Sequence, residues 1–81
     1  MSIPDALKKL EGHEKNIRFK DLLRICEEFF GESRINGSHH YFKTPWAGNP
    51  RINIQSDKGK AAVYQVKQVI AALKTLQSMG S

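Results

Sequence analysis

The apolar residues of this chain change their period near Gly31 and change it back near Ala61, and that switch dictates the class of fold. Before Gly31, Phe19, Leu22, Leu23, Cys26, Phe29 and Phe30 fall at helical spacing, with Lys20, Asp21, Arg24, Glu27 and Glu28 on the other side. This pattern predicts a helix from Phe19 to Phe30, with Gly31 as its stop. A shorter helix is expected over residues 2–11, where Ile3, Ala6, Leu7 and Leu10 form one stripe behind a Ser2 cap and Pro4. Gly12 ends it, and residues 12–17 read as a polar loop. After Gly31 the period becomes two. Glu32 to Asn36 contains Ile35 and is followed by His39-His40-Tyr41-Phe42-Lys43-Thr44, which predicts a hairpin turning at Asn36-Gly37. Pro45 closes the second strand, 46–50 reads as a loop, and Arg51-Ile52-Asn53-Ile54-Gln55 alternates as a third strand. Residues 56–60 read as a flexible polar connection. Val63, Val66, Val69, Ile70, Leu73 and Leu76 predict a last helix from about Ala61 to Gln77.

The expected order is therefore α-(α)-β-β-β-α. At 81 residues the chain is one small domain. Three antiparallel strands cannot hide an apolar face alone, so the helices must cover one side. The resulting two-layer α+β sandwich resembles the double-stranded-RNA-binding fold and leaves the polar sheet face open to a ligand. Residues 1–16 are expected to form an N-terminal extension, and 17–78 the main domain.

Charge adds a constraint that hydropathy does not. The formal net charge is +5, and it is unevenly held. Residues 1–32 carry six basic against seven acidic side chains, whereas 33–81 carry seven basic ones and a single acid, Asp57. Such a concentration of cations serves either as an electrostatic footprint for phosphate polymers or as a solubilising surface that happens to be basic. Other sequence features narrow the class further. Cys26 is the only cysteine, which excludes an intramolecular disulfide framework and a multi-cysteine zinc site. No stretch approaches the roughly 20 apolar residues of a membrane helix, and Met1-Ser2-Ile3-Pro4-Asp5 has no signal-like pattern, so a soluble cytoplasmic protein is expected.

Chemistry concentrates in Gly37-Ser38-His39-His40-Tyr41-Phe42. If Phe42 points inward with Ile52 and Ile54, alternation sends His40 inward as well, and His39, Tyr41 and Lys43 share the outer face. An exposed imidazole beside a hydroxyl and an ammonium suits proton transfer near neutrality. Lys43 and Arg51 are positioned to hold a phosphate. These groups together suit RNA cleavage through the ribose 2′-OH, a reaction needing no metal. No metal site or cofactor is expected, because His39 and His40 face opposite sides while His13 and Cys26 lie on other elements. Trp46 serves either to stack on a base or to close the core edge. The N-terminal turn of the last helix, at Tyr64 and Gln65, serves either phosphate binding with Lys60 or ordinary capping.

Gly37-Ser38-His39-His40-Tyr41-Phe42-Lys43-Thr44-Pro45 resembles the signature of HicA-type toxins, the mRNA interferases of bacterial toxin–antitoxin pairs. Ile52-Asn53-Ile54-Gln55, Gly59-Lys60-Ala61 and Tyr64-Gln65-Val66-Lys67-Gln68 are similar to the second half of the longer members, and Arg18 to Leu23 to their opening helix. The resemblance covers about residues 17–76. It implies a double-stranded-RNA-binding-like fold and a metal-independent endoribonuclease that cleaves mRNA and blocks translation. It also implies a HicB-type antitoxin partner, with a possible higher-order toxin–antitoxin assembly. The essential histidine of the family falls on His39, or on His40 in members that shift it by one place; alternation favours His39. On this reading RNA meets Gly37, Ser38, Tyr41, Lys43, Arg51, Lys58, Lys60 and Lys67. Two readings from other classes compete with it: a non-catalytic RNA-binding module using the same basic face, and a small interaction protein that meets an acidic partner.

Overall fold

In the computed structural model, residues 1–46 and 52–80 are described. Ser2 starts helix α1 (Ile3–Leu10) by accepting the Asp5 N–H on its hydroxyl at 3.2 Å, and Pro4 sits in the first turn, where its missing N–H is not needed. Ala6, Leu7 and Leu10 are buried. Helix α2 occupies Phe19–Phe30, and Gly31 ends it at φ +85°. The last helix, α3, spans Val63–Met79.

Between α2 and α3 lies one antiparallel sheet of four strands, β1 (Arg34–Asn36), β2 (His39–Phe42), β3 (Ile52–Asp57) and β4 (Lys60–Ala61), in that order. Gly37 and Ser38 form the two-residue turn between β1 and β2. Gly37 takes φ +63°, as a glycine-first hairpin turn requires. The three-stranded sheet expected from the sequence is therefore incomplete. Lys58 at φ +53° and Gly59 at φ +85° are a tight turn rather than a flexible connection, and they fold Lys60 back opposite Asp57. The new strand borders the segment leading into α2. Ala61 N–H donates to the Ile17 carbonyl and Phe19 N–H to the Gly59 carbonyl, both at 2.9 Å. Ala61 thus belongs to the sheet, α3 starts two residues later than its periodicity suggests, and Ile17 is buried rather than part of a polar loop. The preceding segment also contains a short 3-10 turn, Glu14–Asn16.

Phe42, Ile52, Ile54 and Ala61 point to one side of the sheet and are buried against Leu22, Ile25 and Cys26 of α2 and Val66, Val69 and Leu73 of α3. Helix α1 packs against α3 and completes the same core. Two details depart from the helical stripes that the sequence predicts: Ile25 is buried although it lies outside the stripe, and Val63 is partly exposed. Trp46 packs with its ring nearly perpendicular to that of Phe30, centroids 6.3 Å apart, and is partly buried against the core, whose edge it closes.

Because β4 is only two residues long, Gln55 on β3 has no strand partner on that side. Gln65, itself fully buried, fills the gap: its side-chain Oε1 accepts the Gln55 N–H at 2.8 Å. A buried N–H without an acceptor costs about 1–3 kcal/mol. Gln65→Leu, which keeps the volume but removes the acceptor, is expected to destabilise the fold by about that amount. Its thermal midpoint should fall by roughly 4–8 °C for each kcal/mol of destabilisation, as read by circular dichroism. An unchanged midpoint would contradict the role assigned to this side chain.

Candidate functional site

The register of β2 on β3 decides what the open face carries. His39 lies opposite Gln55, His40 opposite Ile54, Tyr41 opposite Asn53 and Phe42 opposite Ile52. Residues paired in this way share a face, so burial of Phe42, Ile52 and Ile54 sends His40 inward and His39, Tyr41, Asn53 and Gln55 outward. The same pairing adds Arg34, opposite Tyr41, and Asn36, opposite His39. Lys43 follows β2 and is exposed.

The two histidines are in different chemical situations. His40 is half-buried, stands 5.2 Å from the Phe19 ring and has its Nδ1 3.4 Å from the Ser33 hydroxyl. It closes the gap between β2 and the start of α2. His39 stacks on Tyr41 with centroids 5.9 Å apart and planes 22° apart. Its Nδ1 is 3.1 Å from Asn53 Oδ1, a diagonal approach across β2 and β3. An amide oxygen can only accept, so in the neutral ring this contact favours the tautomer with the proton on Nδ1 and the lone pair on Nε2. The imidazole is thereby oriented by a neutral partner, and its other nitrogen is available as a base. Ser38, in the turn beside it, accepts a hydrogen bond from the Gln55 amide at 3.1 Å, which ties the β1–β2 turn to β3.

The remaining predicted residues separate into two groups. Lys58 is at the tip of the β3–β4 turn and Lys60 is on β4, on the outer face with Asp57. Lys67 is on α3, in the helical layer. There it gives a small contribution to holding the Glu14 carboxyl below the usual carboxylate range, an effect due first to the backbone N–H groups of Glu14 and Gly12. It is not on the face that bears His39. Arg51 lies outside the described residues. Cys26 plays no chemical part: burial, with a smaller effect of Glu27, pushes its thiol up to about 12.

A cleft of about 300 Å³ opens beside Tyr41, lined by Phe30, Glu32, Ser33, Arg34, Phe42 and Lys43. Two cations, Arg34 and Lys43, and one acid, Glu32, share its lining with Tyr41. The sequence pattern alone does not single out Asn53, Gln55 or Arg34 as site residues. A signal for the first two is nonetheless present, since both alternate with buried isoleucines and must face the same side as His39.

No protein-family model, curated protein or solved structure matches the chain.

The tautomer of His39 can be measured directly. Long-range proton–nitrogen correlation spectra of the neutral imidazole should show the Nδ1–H form for His39. In Asn53→Leu the commoner Nε2–H form should take over. Predominance of Nε2–H in the unsubstituted protein would contradict the orientation described.

Proposed function

We propose that this chain is a metal-independent endoribonuclease of the HicA type, with His39 as the proton-transfer residue and the outer sheet face as the RNA platform. The observation that carries the reading is the pairing of His39 with Asn53 on an uncovered face. In the neutral ring it leaves the Nε2 lone pair free beside the Tyr41 ring, on the face that also carries Arg34. On this reading RNA lies across the sheet as a single strand. Tyr41 stacks with a base, and Lys43 and Arg34 neutralise the phosphate. His39 Nε2 removes the proton from a ribose 2′-OH, and the oxygen attacks the adjacent phosphorus. The 5′-oxygen leaves with a proton taken from water. The products are a 2′,3′-cyclic phosphate and a 5′-hydroxyl. Cations near the phosphate stabilise charge as it builds on the non-bridging oxygens. His40, packed on Phe19, supports β2 and takes no part in the chemistry.

The same reading covers the wider assignments. The sheet backed by α2 and α3 is a double-stranded-RNA-binding-like sandwich, to which β4 and α1 are additions. The substrate is mRNA in the cytoplasm, and the consequence is arrested translation. An antitoxin of the HicB type holds the toxin inactive by masking the His39 face, and an acidic masking surface suits the cations there.

A second reading has its own support. Arg34, Lys43, Lys58 and Lys60 have no ion-pair partner among the described residues, and unpaired cations on one face serve RNA binding without any reaction. Cleavage separates the two. In a bacterial host, expression of the chain should arrest growth, and the purified protein should cut single-stranded RNA. His39→Ala should lower cleavage at least about 100-fold while RNA affinity stays within a few-fold. His40→Ala should retain cleavage wherever it remains folded. RNA binding without cleavage by the unsubstituted chain would favour the binding module, and undiminished cleavage by His39→Ala would overturn the role given to that residue.

A further inference from the structure

The outer face does not end at the histidine. Following it along β3 and across β4 leads to a place where two cations oppose each other. Lys60 lies opposite Asp57 on one side and opposite Arg18 on the other, through a bridge between β4 and the segment entering α2. Ala61 and Ile17, the next pair in this ladder, are buried, so Lys60 and Arg18 are turned to the outer side. Both are exposed, and neither has an ion-pair partner among the described residues. Like charges directly opposite each other on a sheet are destabilising. Asp57, opposite Lys60 on the other side, offsets part of this repulsion, and the backbone bonds of Ile17 and Phe19 to this strand do not depend on either cationic side chain. Helix α2 begins at the residue after Arg18 with no side-chain cap, so the positive end of its dipole faces the same place.

We infer that Arg18 and Lys60 form a second phosphate subsite, which holds the RNA backbone some nucleotides away from the scissile bond. The inference rests on the RNA reading above and adds to it a binding residue, Arg18, from the segment before α2. Standard strand spacings put the Cα atoms of Lys60 and Arg18 about 12 and 16 Å from that of His39. Taking a rise of about 3.4 Å per nucleotide when stacked and about twice that when extended, this is roughly two to five nucleotides of single strand. Between the two ends lie Gln55, which can reach the sugar or base by hydrogen bonding, and Asp57, which opposes the phosphate. The track thus runs from the imidazole past an amide and a carboxylate to a cationic end. Such a layout fixes the position of the strand relative to His39 and requires a substrate longer than a dinucleotide.

The test uses the full chain carrying His39→Ala, so that RNA is bound and not consumed, with a fluorescent single-stranded RNA oligonucleotide over a series of potassium chloride concentrations. Removing one cation that neutralises a phosphate should lower the slope of log affinity against log salt by about 0.7. Arg18→Gln and Lys60→Gln should each show this change and weaken binding roughly two- to fivefold, and the double variant should show about twice the reduction in slope. Asp57→Asn should tighten binding. Lys8→Gln, on the exposed side of α1, should change neither quantity. The exposed positions of Arg18 and Lys60 allow the fold to be checked independently by thermal midpoint. Wild-type slopes in both Arg18→Gln and Lys60→Gln, with RNA still bound, would overturn the subsite and leave the nuclease reading intact. Absence of RNA binding by the parent chain would overturn both.

Discussion

The structure depends on the burial of three side chains, Phe42, Ile52 and Ile54, on one side of the β2–β3 pair. A strand repeats every two residues, so these three settle the side taken by every neighbour, and a slip of one position would invert them all. Truncating any one would remove a large share of what holds so small a domain together, since emptying a core site of this size costs about 2–5 kcal/mol. Their burial turns His40 toward Phe19 and His39 toward solvent. It also aligns Asn53 diagonally with His39, which is how a core-packing constraint orients a half-buried ring on the outer face.

Much of this is legible in the residues. The helix over Phe19–Phe30, the hairpin around Gly37, the alternation through Ile52 and Ile54 and the opposite facing of the two histidines all follow from periodicity and turn chemistry. The fourth strand is not legible. Its two residues are too few to show a period, and its turn uses a lysine at positive φ, a conformation that sequence patterns rarely assign to lysine. The role of Gln65 is hidden for a related reason. A glutamine at the start of a helix reads as polar surface until the short β4 exposes the need for an acceptor at Gln55. Asn53 and Gln55 are visible as outward residues, but their partners depend on the register, which becomes definite only when both strands are in place.

The distribution of charge gains meaning from this architecture. The second part of the chain holds the whole of the positive excess, yet its cations do not act as one patch. Lys67 and Lys74 belong to the helical layer, where Lys74 pairs with Glu11 at 3.4 Å. Lys60 faces outward beside the strands, and it is joined there by Arg18, whose sequence neighbourhood is close to neutral. Folding therefore sorts cations by face, drawing one from the nearly neutral segment into the sheet surface and removing others from it. The face that results combines an oriented imidazole, a stacking ring, amides and unpaired cations, a set of groups suited to a flexible phosphate polymer.

The central claim is that the outer sheet face, and not the helical layer, meets nucleic acid. The most direct measurement follows backbone amide signals by nuclear magnetic resonance as the chain is titrated with a single-stranded RNA whose 2′-oxygens are methylated and which is therefore not cut. The account predicts that the largest shifts fall on His39, Tyr41, Asn53, Gln55 and Lys60, while the exposed sides of α1 and α3, including Lys67, stay in place. Shifts concentrated on α1 and α3, with β2 and β3 unaffected, would contradict it.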